Sequence, residues 1–108
     1  MTPHPFGLHR SLDPPGVLPQ LARRLDASPR PFENEIAIAV RALSIDSASF
    51  RQLREAESST GESVRDQIAR IVRERGKMQN PVTGSGGMLL GEVAAVGRRH
   101  PAAQRLAK

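Results

Sequence analysis

The stretch from Asn80 to Met88 has the residue types of a ligand-binding loop. Its sequence, Asn-Pro-Val-Thr-Gly-Ser-Gly-Gly-Met, places three glycines within four residues, and glycine loses more backbone entropy on ordering than any other residue. Pro81 keeps Asn80 out of the helical region, so an extended segment leads into the glycine turn, where Thr83 and Ser85 offer hydroxyl groups. The pattern predicts a loop whose backbone can approach a ligand closely, with a plain surface turn as the alternative.

The glycines of this loop match neither of the common nucleotide-binding motifs. A dinucleotide fingerprint, G-x-G-x-x-G, would need a third glycine where the sequence has Leu89. A Walker loop would need a lysine after its second glycine, whereas Gly91 is followed by Glu92. The loop is therefore not expected to bind a nucleotide.

The composition bounds the class of protein. With 108 residues, 38% of them hydrophobic and only three phenylalanines as aromatics, the chain is at most one domain with a core of Ile, Val, Leu and Ala. The absence of cysteine excludes disulfides and thiolate metal sites. No apolar run approaches the roughly 20 residues of a membrane span, and the N-terminus lacks the apolar stretch of a signal peptide. We expect a cytoplasmic chain without a membrane partner.

The net charge of +5, from 16 basic and 11 acidic residues, raises the question of nucleic-acid binding. The basic residues are spread along the chain and partly paired with acids, and few aromatic side chains are present to stack on bases. We expect a solvated basic surface and no nucleic-acid partner.

The first 32 residues hold seven of the nine prolines and form a predicted Pro-rich N-terminal arm (1–32). Proline excludes long helices there, and residues 13–16, Asp-Pro-Pro-Gly, are typical of a turn. His9 and Arg10 lie side by side in this arm. They could be a site pair or an ordinary exposed pair, and their position alone favours the exposed pair.

Residues 33–108 have the pattern of a mixed α and β domain. Residues 33–45 predict a strand with apolar positions on both faces, so that both faces could be covered, and residues 88–96 predict a second strand. Two such strands leave open sheet edges, which a complete domain would cover or pair. The chain is therefore expected to stop inside its domain.

Two helices are predicted between these strands. The first extends from Ser47 to Glu57, with Asp46 or Ser47 as its N-cap and with Phe50 and Leu53 on its buried stripe.

The second helix is predicted to follow residues 59–62, Ser-Thr-Gly-Glu, which fit a capping box with Ser59 as the N-cap. Gly76 is its predicted C-cap, and Arg70 and Glu74 form an i,i+4 pair on its polar face. The apolar stripe consists of Val64, Ile68, Ile71 and Val72.

Several of these segments together resemble a known family. The matching runs are residues 7–10, 16–20, 34–36 leading to 45–50, 75–78, and the loop at 80–88, which is the most specific of them. In these runs the chain resembles the N-terminal part of the L-erythro-3,5-diaminohexanoate dehydrogenase family. The resemblance implies NAD-dependent oxidative deamination of a diamino acid in lysine fermentation, which yields 5-amino-3-oxohexanoate, ammonia and NADH.

A broader resemblance concerns the architecture, since residues 34–49 and 86–97 are similar to the GroES-like catalytic domain of medium-chain dehydrogenases. It implies an α+β fold, namely a partial GroES-like β-barrel with two helices inserted between strands. Residues 33–108 would then be an incomplete substrate domain, and the Rossmann domain is not present in this chain. In zinc-dependent members a cysteine would stand near Asp46 and a His-Glu pair at Gly87 and Met88. Because a catalytic zinc needs three protein ligands, we predict no metal.

The implied reaction assigns roles to particular residues. Oxidising an amine needs a base, and the resemblance leaves Asp46 and His9 as the candidate catalytic residues. A helix cap is an equally weighted alternative for Asp46. The candidate substrate-binding residues are Arg10 as a carboxylate clamp, together with Asn80, Thr83, Ser85, Gly86 and Gly87 in the loop.

The sequence therefore predicts the N-terminal part of an NAD-dependent dehydrogenase for a small amino-acid substrate, inactive by itself. NAD would be bound mainly by sequence beyond Lys108, so no residue of this chain is assigned to the cofactor. A homodimer is expected for the full-length form. The alternative is a small basic binding module that contacts an acidic partner or nucleic acid.

Overall fold

The structure, a computed structural model, describes residues 3–106. Its elements, in chain order, are a 3₁₀ helix at Leu8–Arg10, β1 (Ser11–Asp13), β2 (Arg24–Leu25), β3 (Ile36–Ile45), α1 (Ser47–Thr60), α2 (Val64–Arg75), β4 (Gly87–Val96) and α3 (Ala103–Leu106). β1 pairs antiparallel with β2, and β3 pairs with β4 in a second two-stranded sheet. The predicted mixture of helices and strands is confirmed. The strands of residues 3–106 form no closed barrel, so the GroES-like barrel stays a prediction.

The chain divides into two compact units. The first comprises the described residues up to Ala42 together with those from Leu89 onward, and the second comprises Leu43–Met88. The predicted boundary between an N-terminal arm at 1–32 and a domain at 33–108 is a different division and stays a prediction.

The predicted order of strand, two helices, loop and strand is confirmed in β3, α1, α2 and β4. Close approaches join Gly87 to Ser44 and Gly91 to Ala39, so residue numbers rise along one strand as they fall along the other, as in an antiparallel pair. Within the described residues one face of β3 is open, because the side chains of Ile38 and Val40 on that face are 46% and 53% exposed; that both faces could be covered stays a prediction. A two-stranded ribbon has too few neighbours to cover them.

Helix α1 begins at the predicted N-cap, Asp46, whose carboxylate accepts a hydrogen bond from the backbone N–H of Ser49 at 2.7 Å. It continues one turn beyond the predicted end, to Thr60. Leu53 is buried as predicted, but Phe50 is 45% exposed and its assignment to the core is wrong. Ser49 and Leu53, four residues apart, form the buried face, and Phe50 lies about 100° around the helix from Ser49.

Helix α2 does not use the predicted capping box. Ser59 and Thr60 belong to the last turn of α1, where both hydroxyls donate to the carbonyl of Ala56. The N-cap is Ser63 instead, whose hydroxyl accepts from the backbone N–H of Asp66 at 3.1 Å. The box was wrong because serine and threonine side chains also bond to carbonyls of the preceding turn, which a sequence pattern does not distinguish from capping.

Helices α1 and α2 pack against each other within the second unit. Ile71 is buried, and the buried amide of Gln67 donates to the carbonyl of Leu53 at 2.7 Å. The predicted C-cap at Gly76 and the predicted pair of Arg70 with Glu74 are both confirmed. Helix α1 also bonds to the loop at 80–87, through Ser49 and Gln52. None of the helices in the described part of the chain is long and apolar enough to cross a membrane.

The close approach of the two strands makes a stability prediction. A Cβ added at Gly87 would collide with the backbone carbonyl of Ser44, which cannot move away as a flexible side chain can. We expect Gly87→Ala to lower the free energy of unfolding by about 1–3 kcal/mol, the usual cost of overpacking. Urea unfolding followed by circular dichroism measures this.

The matched control is Gly16→Asn, at a position with no atom within 4 Å of an added Cβ and with a φ of 79° that asparagine tolerates. It should lower the unfolding free energy by less than about 1 kcal/mol, the strain that a side chain meets at positive φ, which is smallest for asparagine. Equal losses in the two variants would contradict the steric argument.

Candidate functional site

The loop that follows α2 is held together by Asn80, which is fully buried. Its side-chain amide donates to Gln52 Oε1 at 2.8 Å, and its side-chain oxygen accepts the backbone N–H of Val82 at 2.8 Å. Its backbone N–H donates to the carbonyl of Ser85, and its carbonyl accepts the N–H of Gly84. Every polar group of Asn80 is thus engaged, either within the loop or with Gln52 of α1. The position of Asn80 is structural in this arrangement, and its predicted contact with a substrate stays a prediction.

Three hydroxyl groups meet beside the start of α1. Ser49 Oγ lies 2.9 Å from Thr83 Oγ1 and 2.7 Å from Ser85 Oγ, and the last two atoms are 3.0 Å apart. Ser49 is fully buried, so this triangle fixes the loop to the helix. Thr83 and Ser85, both predicted to orient a substrate, are therefore held in place by a third hydroxyl on a different element.

Asp46 is both the N-cap of α1 and a carboxylate that bonds to this loop through Ser85. The backbone N–H of Ser49, and then the hydroxyl of Ser85, hold the pKa of the Asp46 carboxyl below its ordinary value. Its side chain is exposed to solvent. At neutral pH Asp46 is consequently a carboxylate anion that is accessible to a ligand and a poor acceptor of protons.

A cavity of about 320 Å³ opens beside this carboxylate in the second unit. It is lined by Ser44, Ile45, Asp46, Gly86, Gly87 and Met88. Of these six described residues Asp46 alone is ionisable, so the cavity carries a single negative charge. Gly86 and Gly87 contribute no side chains to this lining. Both glycines also have a packing reason, since added Cβ atoms would meet the carbonyls of Met78 and Ser44.

No metal-binding cluster of three or more His, Cys, Asp or Glu side chains occurs within residues 3–106. The donor set around Asp46 consists of hydroxyls and backbone groups, and a single carboxylate does not make a catalytic zinc site. The expectation that no metal is bound stays a prediction.

His9 and Arg10 lie in the first unit, where both contact Glu35. Arg10 forms a bidentate pair with the carboxylate, with Nε at 3.0 Å from Oε2 and Nη2 at 2.7 Å from Oε1. The other N–H groups of Arg10 donate to the backbone carbonyls of residues 26, 28 and 30, and its guanidinium lies 4.7 Å from the ring centre of Phe32. All five donors of Arg10 therefore have acceptors within the described residues. A substrate carboxylate would have to displace one of these bonds.

The imidazole of His9 is engaged at both nitrogens. Nδ1 accepts the backbone N–H of His4 at 2.9 Å, and Nε2 lies 2.8 Å from Glu35 Oε2. Because Nδ1 accepts, the proton of the neutral ring is on Nε2 and is donated to Glu35. In this geometry neither nitrogen is free to take a proton from a substrate, and the role of His9 as a base stays a prediction.

Glu35 is the centre of this cluster and was not among the predicted site residues. Hydrogen bonds lower the pKa of its carboxyl from 4.5 to about 2, with the bond from Arg10 as the largest cause and further bonds from the Phe32 N–H and His9. The predicted exposed pair of His9 and Arg10 is wrong, since the two side chains are only 2% and 13% exposed. A local pattern cannot reveal a partner 25 residues away.

Two further residues were missed in the second unit. Ser49 stands three residues after the predicted cap Asp46, the spacing at which a backbone N–H meets a capping carboxylate. Gln52 follows one turn later on the same face of α1, where it meets Asn80. The sequence did contain a signal for both residues, because Ser49 and Gln52 are polar, are three residues apart and lie close to the buried Leu53.

Of the eight predicted site residues, two lie in the first unit and six in the second. Those of the second unit are Asp46, Asn80, Thr83, Ser85, Gly86 and Gly87, and those of the first are His9 and Arg10. Within the second unit the structure gathers all six around one loop and one helix start.

The Glu35 cluster predicts a large effect for a small substitution. Glu35→Gln removes the negative charge that faces the largely buried guanidinium of Arg10. We expect a loss of about 1–3 kcal/mol in the free energy of unfolding, the cost of leaving a buried polar partner unsatisfied. The same substitution at Glu92, whose pair with Arg41 is exposed on both sides, should cost less than about 0.5 kcal/mol. Similar losses at the two positions would contradict the conclusion that Glu35 is needed to satisfy the buried guanidinium of Arg10.

The same carboxylate predicts a pH dependence. The pKa of the Glu35 carboxyl is lower in the folded chain than its ordinary value of 4.5. The ionised carboxyl therefore contributes its full stabilisation of the fold above pH 4.5, and this contribution is lost as the pH falls towards about 2. The difference in unfolding free energy between the wild-type chain and Glu35→Gln should therefore be constant from pH 5 to 7, shrinking below that range. Urea titrations at a series of pH values measure it, and a difference that persists undiminished at pH 2 would contradict the mechanism.

Comparison with known proteins identifies the family. Residues 9–108 match the family described as the L-erythro-3,5-diaminohexanoate dehydrogenase N-terminal domain. An L-erythro-3,5-diaminohexanoate dehydrogenase of Fusobacterium nucleatum is 54% identical over 92 residues, and one of Acetoanaerobium sticklandii is 49% identical over 92 residues. These matches cover 85% of this chain and 27% of each relative, so the chain spans about a quarter of their length. By these matches, the chain belongs to the L-erythro-3,5-diaminohexanoate dehydrogenase N-terminal domain family.

Proposed function

We propose that this chain is the N-terminal, substrate-side domain of an NAD-dependent enzyme that oxidatively deaminates L-erythro-3,5-diaminohexanoate to 5-amino-3-oxohexanoate. The observation that carries the proposal is the identity of about half of all aligned residues to two dehydrogenases of that name. The family match also extends through the loop at 80–88 and the helix start at Asp46. These are the segments that form the cavity.

The residues of this chain do not fit NAD. Between β3 and α1 the sequence is Ile45-Asp46-Ser47, with no glycine-rich turn at the point where a dinucleotide fold binds pyrophosphate. The described strand pairs include no parallel crossover of the kind that builds such a fold. We therefore assign cofactor binding to the part of the relatives' length that this chain does not match.

The contribution of this chain is to bind and orient the substrate. The substrate carries two amino groups and one carboxylate, and the cavity presents one accessible carboxylate, Asp46, to a cationic group. The hydroxyl triangle of Ser49, Thr83 and Ser85 holds the loop in place, and this loop continues into Gly86 and Gly87 of the cavity lining. In the first unit Arg10 and His9 are bound to Glu35, so the proposal gives them a structural role.

A chimeric enzyme tests the proposal. The 92-residue segment of the Fusobacterium nucleatum relative that aligns with this chain is replaced by the matching part of this chain, and NADH formation from L-erythro-3,5-diaminohexanoate is followed by absorbance. We expect kcat/KM within about tenfold of the parent, equivalent to about 1.4 kcal/mol of transition-state stabilisation. The control is the parent enzyme with the same segment deleted, which should be inactive.

Folding of the chimera is checked by circular dichroism and gel filtration. A chimera that folds as the parent does but oxidises nothing would overturn the proposal. It would favour the alternative of a small basic binding module.

A further inference from the structure

The cavity beside α1 has the chemistry of a cation site. Asp46 supplies the single ionisable group among the described lining residues, and no lysine, arginine or histidine lines it. Its volume of about 320 Å³ is at the lower end of the roughly 300–1,000 Å³ of small-molecule sites. A small ligand with a positive charge is what such a cavity favours.

The carboxylate has room for such a ligand. A carboxylate offers about four lone-pair positions. The N–H of Ser49 takes one of them at 2.7 Å, and the hydroxyls of Ser85 and Ser49 also bond to the carboxylate. The positions that these donors leave open are on an exposed side chain that borders the cavity, and Gly86 and Gly87 contribute no side chains to the cavity lining. An ammonium group with three N–H donors can satisfy these positions.

We propose that Asp46 binds the C5 ammonium of the substrate, the amino group that the reaction leaves in place, and does not act as the catalytic base. This inference rests on the proposed function and names the part of the substrate that this cavity recognises. Asp46 is then a specificity-determining residue.

The choice between the two amino groups follows from proton affinity. The C3 nitrogen must lose a proton before its carbon can be oxidised, so its partner should be a base that accepts protons readily. Asp46 is the opposite, because its exposed carboxylate accepts the backbone N–H of Ser49 at 2.7 Å, a bond that stabilises the ionised form. A carboxylate of this kind suits a group that stays protonated throughout the reaction, which is the C5 ammonium.

The test compares two substrates in the chimeric enzyme. Asp46→Asn removes the charge but keeps the N-cap, since asparagine caps helices as well as aspartate does. For L-erythro-3,5-diaminohexanoate we expect a loss of about 10- to 100-fold in kcat/KM, mostly in KM, the effect of losing a charged hydrogen bond. For 3-aminohexanoate, which lacks the C5 amino group, the variant and the unmodified chimera should agree within about twofold.

The matched control is Asp66→Asn, the same substitution in the first turn of α2, at an exposed position away from the cavity. It should leave both substrates unaffected. A competitive inhibitor, 5-aminohexanoate, gives a second readout that needs no turnover. Its inhibition constant should rise about 10- to 100-fold in Asp46→Asn and stay unchanged in Asp66→Asn.

Two results would overturn the inference. A fall in kcat by the same factor for both substrates, with a shifted pH profile, would make Asp46 the base. No change with either substrate or with the inhibitor would leave Asp46 a helix cap alone.

Failure of the proposed function is recognised separately. If the unmodified chimera oxidises neither substrate, the subsite is tested on the 108-residue chain by nuclear magnetic resonance. Titration with 5-aminohexanoate should shift the amide signals of Gly86 and Gly87, whereas hexanoate should not. Equal shifts with the two ligands, or none, would refute the ammonium subsite.

Discussion

The close contact between β3 and β4 is the constraint on which the rest of this structure depends. Gly87 and Gly91 lie so near the carbonyls of Ser44 and Ala39 that a side chain at either position would collide with the backbone. The ribbon therefore accepts only one register. Because α1 starts directly after β3 and the loop ends where β4 begins, this register also decides which residues stand beside Asp46. The position of the cavity therefore depends on how β3 and β4 pair, and the side chains that line it follow from that pairing.

A second constraint comes from buried polar groups. The largest fully buried side chains among the described residues are Asn80 and Ser49, not apolar ones. Buried polar groups are costly unless satisfied, and each of these has partners on another segment, Gln52 for Asn80 and the hydroxyls of the loop for Ser49. Such a network tolerates few alternative arrangements. It makes the loop a specified structure, although its glycines alone would favour a flexible turn.

The sequence predicted those features that depend on local patterns. Period-two alternation located β3, and the capping preference of aspartate located the start of α1. Local patterns failed where two local outcomes compete, as at Ser59, or where a rotation of about 100° around the helix decides burial, as at Phe50. They gave no sign of the Glu35 cluster, which joins groups 25 and 26 residues apart. Its formation depends on the tertiary fold.

The same carboxylate chemistry serves opposite purposes in the two units, and the difference lies in what remains free. At Glu35 both oxygens accept hydrogen bonds, from Arg10, His9 and the Phe32 N–H. The negative charge of Glu35 is therefore balanced by partners within the chain. At Asp46 the donors are a backbone N–H and the hydroxyls of Ser85 and Ser49, which carry no full positive charge. The negative charge of Asp46 is thus stabilised but not neutralised. A carboxylate in that condition attracts a cation from solution, whereas a neutralised one does not.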